Sequence, residues 1–454
     1  MLSQQSNTNW ASVFSKENKP KTYMVRWFPI IPFLAYWVST FILRIIGPYY
    51  HNRLETKTYI YLFLCMFLFV FFYFNNVKNT FRLFKNPHKY QVIKAYNWLK
   101  WTALFSLIGE SGFIIDRLIT GAGSISKTLY ETEYVRAYYN QNTSILTTIS
   151  VIPQSLLFIA LTTYFYCISY RLKIKKWIHI CIILQLLLIV FNSFLMTDRG
   201  SIFWILTYLA FYVFFVRGAS IKKFLIARDY LIIRTILSVG IAILCIYSFF
   251  IAQKRNEKSV IRDLIVLSDI NRRYPINIKK PENEAAFYQL VQYGTHEYDY
   301  IDAFVRNGEI LAFRPDSFFG MRFYLQIARF IPDYIPKGKR IALEWMEKEG
   351  LSPSGWPSVF GCTIPFFGFL GSFIFFAIVG GFTGRMVRRY NNHGEFGALL
   401  IIFCLYSGLN RSFDWIFGDF SQLAGFLIGG YLLSKNIFHT KNVTESIAAF
   451  RAEQ

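Results

Sequence analysis

Charged residues are scarce in this sequence. They make up 17% of its 454 residues, whereas a soluble domain usually contains about 25%. Hydrophobic residues make up 54%, and they are gathered in blocks of about 20 residues, the length of a helix that crosses a membrane. This composition excludes a disordered chain, a collagen and a coiled coil, and it nearly excludes a soluble two-domain protein.

The sequence also has no paired cysteine motif. Its six cysteines are far apart, and no CxxC occurs, so neither a disulfide framework nor a cysteine-based metal site is expected. We predict no metal ion and no cofactor. An internal repeat is likewise missing, which gives no support to an inverted-repeat transporter.

The apolar blocks are what the sequence does contain. We interpret each as a helix, because only helices and closed barrels satisfy their backbone hydrogen bonds in lipid. The predicted spans are 27–46, 58–75, 98–116, 145–169, 177–196, 201–216, 230–251, 357–381, 396–410 and 418–434. The predicted fold is therefore an all-α polytopic membrane protein with about 10 to 12 transmembrane helices.

These spans divide the chain into four parts. Residues 1–251 form an N-terminal transmembrane bundle, and 357–434 form a shorter C-terminal bundle. Between them, 252–356 is a large outer loop, expected to be a subdomain with amphipathic helices. Residues 435–454 are a tail.

The net charge of +22 would suggest a nucleic-acid partner in a soluble protein. Here, however, the basic residues concentrate before the first span and in the loops that follow the even-numbered spans. This alternation is typical of cytoplasmic loops. It predicts that both termini are cytoplasmic and that the partner is the lipid bilayer rather than nucleic acid.

Several basic residues fall on the predicted outer side. Arg199 lies in a short turn beside Asp198 and opens a helix, whose N-terminus offers unpaired N–H groups to an anion. An Asp198–Arg199 pair or an Asp198 helix cap is the alternative. The remaining outer basic residues are Arg272, Arg273, Arg306, Arg314, Arg322, Arg329, Lys337, Lys339, Arg340 and Arg411. They suit a phosphate-bearing ligand, or they simply snorkel to the interface.

Three residues are candidate general bases. Glu110 lies inside the third span, where ionisable groups are costly and usually functional; its alternative is a structural pair with Arg44 or Arg234. Asp299 and His296 lie in the outer loop. Both are side chains that can accept a proton from a hydroxyl, or they form the polar face of an amphipathic helix.

Three stretches, in this order along the chain, resemble the oligosaccharide repeat-unit polymerases of bacterial surface polysaccharides, the Wzy-type O-antigen and capsule polymerases. The first is the turn 197–201 with the apolar helix after it. The second is the outer loop, with Glu-Tyr-Asp at 297–299 and Ile-Pro-Asp-Tyr-Ile-Pro-Lys-Gly-Lys-Arg at 331–340. The third is Ser-Pro-Ser at 352–354, which leads into a glycine-rich span.

The resemblance implies a GT-C-like fold in the bacterial inner (cytoplasmic) membrane, with the active site facing the periplasm. It implies a metal-independent transfer of a growing glycan from one undecaprenyl diphosphate carrier to the non-reducing end of a repeat unit on another. Arg199 and the basic residues of the outer loop would hold the donor diphosphate, and a carboxylate or His would deprotonate the acceptor. A chain-length-regulating co-polymerase is a possible partner.

Two other interpretations remain open. An O-antigen ligase or another polyprenyl-linked glycosyltransferase would use the same donor with a different acceptor. A lipid-linked oligosaccharide flippase or other transporter belongs to another class, and it would be expected to place polar groups through the middle of the membrane.

Overall fold

The computed structural model describes residues 27–46, 54–77, 89–119, 145–170, 172–195, 200–256, 297–307, 358–410 and 423–434. Every regular element in these ranges is a helix. The predicted all-α class is therefore confirmed for the described part of the chain.

The α-helices are numbered here in chain order. They are α1 Ile31–Ile46, α2 Thr56–Val77, α3 Lys89–Ile119, α4 Ile145–Ser155, α5 Leu157–Ser169, α6 Lys176–Leu195, α7 Gly200–Phe211, α8 Ile221–Ile226, α9 Leu231–Asn256, α10 Glu297–Asn307, α11 Val359–His393, α12 Phe396–Asn410 and α13 Leu423–Ser434. A π-helical turn, Tyr212–Val216, extends α7, and a 3-10 turn, Arg228–Tyr230, precedes α9.

Among the described residues, four segments are long and apolar enough to cross a membrane, namely Thr56–Val77, Ile152–Ser169, Lys176–Ser193 and Val359–His393. Large apolar side chains such as Phe63, Leu187 and Ile374 are exposed on their surfaces. Exposed apolar surface of this extent is unfavourable in water, whereas in a bilayer it contacts the acyl chains. The protein is therefore a helical membrane protein.

Among the predicted spans whose bounds differ in the structure, two differ for an identifiable reason. The span predicted at 145–169 is interrupted at Leu156, shortly after Pro153, which cannot donate a helical hydrogen bond. The helix predicted to end at 381 continues to His393, where Gly394 adopts a left-handed conformation with φ 62° and ends it. That helix, α11, is also broken internally at Gly368, whose φ is 71°.

One end of the helical bundle collects the basic connections. Arg385 on α11 donates to Asn76 at the end of α2, 3.1 Å apart, and Tyr166 on α5 donates to the Gly394 carbonyl, 2.8 Å apart. The described basic residues of this end include Lys173, Lys175, Lys176, Arg217, Lys222, Lys223, Arg228, Arg385, Arg388 and Arg389. Phe215, at the end of the turn that extends α7, stacks on Tyr390 of α11. The described connections after α5, after α7 and after α11 therefore share one end of the bundle, and the basic residues predicted at 16–26 and 78–85 lie outside the described residues.

Candidate functional site

Helix α10 packs at the opposite end of the bundle from these basic residues. It contacts α2 and α11 and bonds to α1 through several side chains. Its residues from Glu297 to Val305 are buried apart from Asp299, which is half-buried. A helix lying loosely on a membrane surface would keep one exposed face, so α10 is instead an integral part of this end of the bundle.

Aromatic and hydroxyl side chains of α1 hold the first turn of α10. The Tyr36 hydroxyl donates to Glu297 Oε1 over 2.8 Å. The Tyr298 hydroxyl donates to the Trp37 carbonyl over 3.1 Å and lies 3.1 Å from the Thr40 hydroxyl. Burial raises the pKa of the Tyr298 phenol, so this hydroxyl stays protonated and able to donate.

Asp299, a predicted general base, forms an ion pair with Arg44 at the end of α1, with 2.5 Å between Nη2 and Oδ1. The Arg44 side chain is 4% exposed and the Asp299 side chain 24% exposed. A carboxylate that neutralises a buried guanidinium has a structural task.

Asp302 performs a second structural task that the sequence analysis missed. Its Oδ1 accepts hydrogen bonds from the Thr58 hydroxyl, 2.6 Å, and from the Glu55 backbone N–H, 3.0 Å. It thus satisfies free donors at the start of α2, where a negative charge is favourable. Arg306, considered above as a phosphate ligand, lies 3.1 Å from Asp302 and 3.8 Å from Glu55.

Glu110 lies in a different part of the bundle. It is 2% exposed, and its Oε2 accepts a hydrogen bond from Gln154 Nε2 on α4 over 2.8 Å. The two helices are very close here, because a Cβ on Gly109 would be 2.2 Å from the Gln154 backbone nitrogen and one on Gly112 would be 2.3 Å from the Ser150 hydroxyl.

The arginine partners suggested for Glu110 are wrong. Arg44 pairs with Asp299, and Arg234 donates to the carbonyl groups of Phe224 and Leu225. The amide of Gln154 is the direct partner instead. A lone Gln in an apolar span gives no signal in the sequence, so neither Gln154 nor Gln185, a fully buried residue of α6, was recognised as a polar site residue.

The structure does not bring the two described candidate bases together. Glu110 belongs to the contact of α3 with α4, and Asp299 belongs to the contact of α10 with α1. The other predicted site residues lie outside the described residues. They are His296, Asp198, Arg199, Arg272, Arg314, Arg322, Lys339, Arg340 and Arg411.

Within the described ranges, no group of three or more His, Cys, Asp or Glu side chains could hold a metal ion. Comparisons of the chain with protein-family models, with curated proteins and with solved structures find no match.

Proposed function

We propose that this protein is a membrane glycosyltransferase of the GT-C type that polymerises oligosaccharide repeat units carried on undecaprenyl diphosphate at the outer face of the bacterial inner membrane. The observation that carries the proposal is the anchoring of α10. This helix belongs to the long segment between α9 and α11, and buried polar contacts fix it at the end of the bundle opposite the basic connections.

The distribution of basic residues is the basis for the proposed orientation of the bundle in the membrane. Basic residues accumulate on the cytoplasmic side of membrane proteins, so the end with Arg385, Arg388 and Arg389 would be cytoplasmic. The end that holds α10 would then face the periplasm. A lipid-linked diphosphate presents its charged group at the membrane surface, and a surface segment anchored there is well suited to receive it.

The proposed chemistry is a direct transfer between two lipid-linked glycans. The bond between the anomeric carbon and the donor diphosphate breaks, and the acceptor hydroxyl oxygen bonds to that carbon. Basic side chains neutralise the charge of the departing diphosphate; the candidates are Arg199, Arg272, Arg314, Arg322, Lys339, Arg340 and Arg411. The acceptor proton passes to a base. Because Asp299 is ion-paired and Glu110 lies within the bundle, we favour His296, which directly precedes α10 in the sequence.

A transporter is the second candidate, because one observation favours it. Glu110 and Gln154 are hydrogen-bonded polar groups inside the helical bundle, and ionisable groups at such positions often mark the path of a transported ion or substrate. The anchored α10 is the reason to prefer surface chemistry.

Deletion of the gene, followed by gel electrophoresis of the surface polysaccharide, tests the proposal. A polymerase predicts loss of the ladder while a core carrying one repeat unit is retained, since ligation still works. Bare core alone would indicate a ligase or a flippase, and an unchanged ladder would contradict all of these functions.

Complementation of the deletion tests the proposed ligands. Arg199→Ala should fail to restore the ladder although the protein reaches the membrane. Arg388→Ala, an exposed arginine at the basic end, is the matched control and should restore it. A normal ladder with Arg199→Ala would remove this residue from the mechanism.

A further inference from the structure

Gln185 is a fully buried amide with an unusual lack of partners. The residue is 0% exposed, and neither its Oε1 nor its Nε2 has a hydrogen-bond partner among the described residues. Burying an amide without hydrogen bonds costs free energy, and the cost is highest in an apolar environment. Such a group therefore points to a ligand, or to a second state of a neighbouring side chain.

The helix directions identify that neighbour. Ser150 lies against Gly112 and Gln154 lies against Gly109, so α4 runs antiparallel to α3. The chain continues through α5, where the Tyr164 hydroxyl lies 2.7 Å from His179 Nδ1 near the start of α6. Helix α6 therefore runs parallel to α3.

Matched positions on these parallel helices put Gln185 within about one helical turn of Glu110. Arg117 on α3 reaches back over the Phe113 ring and donates to Asn192 Oδ1 on α6, so Asn192 faces a level between Phe113 and Arg117. Glu110 and Gln185 come seven residues before Arg117 and Asn192, respectively, which is about two helical turns on the same face. The unpaired amide and the buried carboxyl thus belong to one helix contact, within about one turn of each other.

That level is the middle of the apolar surface. Exposed large apolar residues on α3 extend from Trp101 to Ile119, with Glu110 at the centre. On α6 they extend from Trp177 to Phe191, with Gln185 close to the centre. Both polar groups therefore lie about halfway along the exposed apolar stretch of each helix.

We propose that Glu110 is a proton-binding site in the middle of the membrane, with Gln154 and Gln185 as the partners of its two states. In the deprotonated state, the carboxylate accepts from Gln154 through the hydrogen bond seen in the structure. When a proton from water adds to it, the carboxyl group turns to Gln185, donates its O–H to Oε1 and accepts from Nε2. A carboxylic acid offers one donor and one acceptor, which complements both unpaired atoms of an amide. A sodium ion would engage only Oε1.

Among the described residues of the helices packed against α3, one charge acts on Glu110, the Arg117 guanidinium, which reaches back over the Phe113 ring at 4.0 Å. On α3 itself, Asp116 is almost two turns towards the end of the helix, and Lys94 and Lys100 are further away in the other direction. Helices α4, α5 and α12 contain no Asp, Glu, Lys, Arg or His. Helix α6 contributes only Lys176 and His179, close to its start. The proposal does not depend on the glycosyltransferase activity.

Infrared spectroscopy of the full-length protein in lipid nanodiscs tests this site. Difference spectra between acidic and alkaline buffer should contain the C=O stretch of a protonated carboxyl group that is absent in Glu110→Gln. Glu395→Gln, which removes an ion-paired carboxylate at the basic end, is the control and should retain that band. If Glu110→Gln leaves every carboxyl band unchanged, Glu110 exchanges no proton and the proposal fails.

Substitution of the two glutamines should shift the titration midpoint of Glu110 in opposite directions. Gln185→Leu removes a partner of the protonated state and should lower the midpoint by about one pH unit, whereas Gln154→Leu removes a partner of the carboxylate and should raise it by about one pH unit. If Glu110→Gln does not fold, these shifts still assign the titrating carboxyl group to Glu110. Shifts in the same direction would overturn the two-state arrangement. A midpoint that falls when sodium replaces choline would make this a sodium site instead.

Discussion

At the scale of single residues, the Arg44 guanidinium is a deeply buried positive charge of the contact that holds α10. It pairs with Asp299, and its side chain is 4% exposed. Removing one member of a buried pair is costly because the other charge is left without compensation. The cost here is moderated by water, since Asp299 is 24% exposed.

Arg44→Ala should therefore lower the free energy of unfolding by about 2 kcal/mol. Arg306→Ala, on α10, provides a matched control at the same end of the bundle, because its side chain is 40% exposed and exposed pairs contribute about 0 to 1 kcal/mol. Thermal unfolding in detergent, followed by tryptophan fluorescence, measures both. Equal losses from the two variants would show that burial of Arg44 does not stabilise the contact.

The sequence identified Asp299 and Glu110 as unusual residues but not their partners. Asp299 and Arg44 are 255 positions apart, and Asp302 bonds to Thr58 across 244 positions. Nothing local in either segment encodes such a pairing, because it depends on which helix ends meet. The same holds for Gln185, because its proposed role depends on its position opposite α3, which the local sequence does not encode.

At the scale of elements, the contact of α11 with α2 is as close as that of α3 with α4. A Cβ on Gly380 would be 2.2 Å from the Phe69 carbonyl oxygen, and one on Gly384 would be 2.5 Å from the Tyr73 carbonyl oxygen. Small residues four apart allow two backbones to approach in this way. The two glycines thus allow α11, which follows α10, to pack closely against α2.

Gly380→Ala should separate these helices and lower the free energy of unfolding by about 1 to 3 kcal/mol. Gly430→Ala is the control, since a Cβ there has no atom within 4 Å and alanine favours a helix. Chemical unfolding in mild detergent should show destabilisation for the first variant only. An unchanged Gly380→Ala protein would contradict the close contact.

Helix positions were more predictable than helix interruptions. The span predicted at 58–75 corresponds to α2, Thr56–Val77, because a long apolar run has few other structures available in lipid. The break at Gly368 could not be predicted, since glycine is frequent in that span and only the structure shows which one has φ 71°.

At the scale of the whole molecule, the two ends of the bundle differ in charge and in the elements they hold. This difference underlies the proposed orientation, with Asn307 of α10 on the periplasmic side and Arg388 on the cytoplasmic side. Both residues are exposed, so both suit labelling.

Single cysteines at these positions should therefore react from opposite sides. In a Cys245→Ser background, Asn307→Cys should react with a membrane-impermeant maleimide added to intact spheroplasts, and Arg388→Cys only after the membrane is opened. Cys245 is replaced because it is the cysteine with an exposed side chain among the free cysteines. Labelling of both from the outside would contradict the orientation.

The grouping of the basic connections at one end of the bundle was the feature that the sequence predicted best. The alternation of basic loops predicted which connections meet, and the described helices group accordingly. For the candidate phosphate-binding residues, the sequence predicted only that they are basic and lie on the outer side of the membrane. Their placement depends on the tertiary structure of the long outer segment, which periodicity does not determine.

The most direct measurement is polymerisation by the purified protein in proteoliposomes supplied with undecaprenyl-diphosphate-linked repeat units and EDTA. The account predicts products of two or more repeat units on one carrier, with release of free undecaprenyl diphosphate and with undiminished yield in EDTA. Unchanged single repeat units that move across the membrane would contradict it in favour of transport. Activity that requires magnesium would contradict the metal-independent reaction.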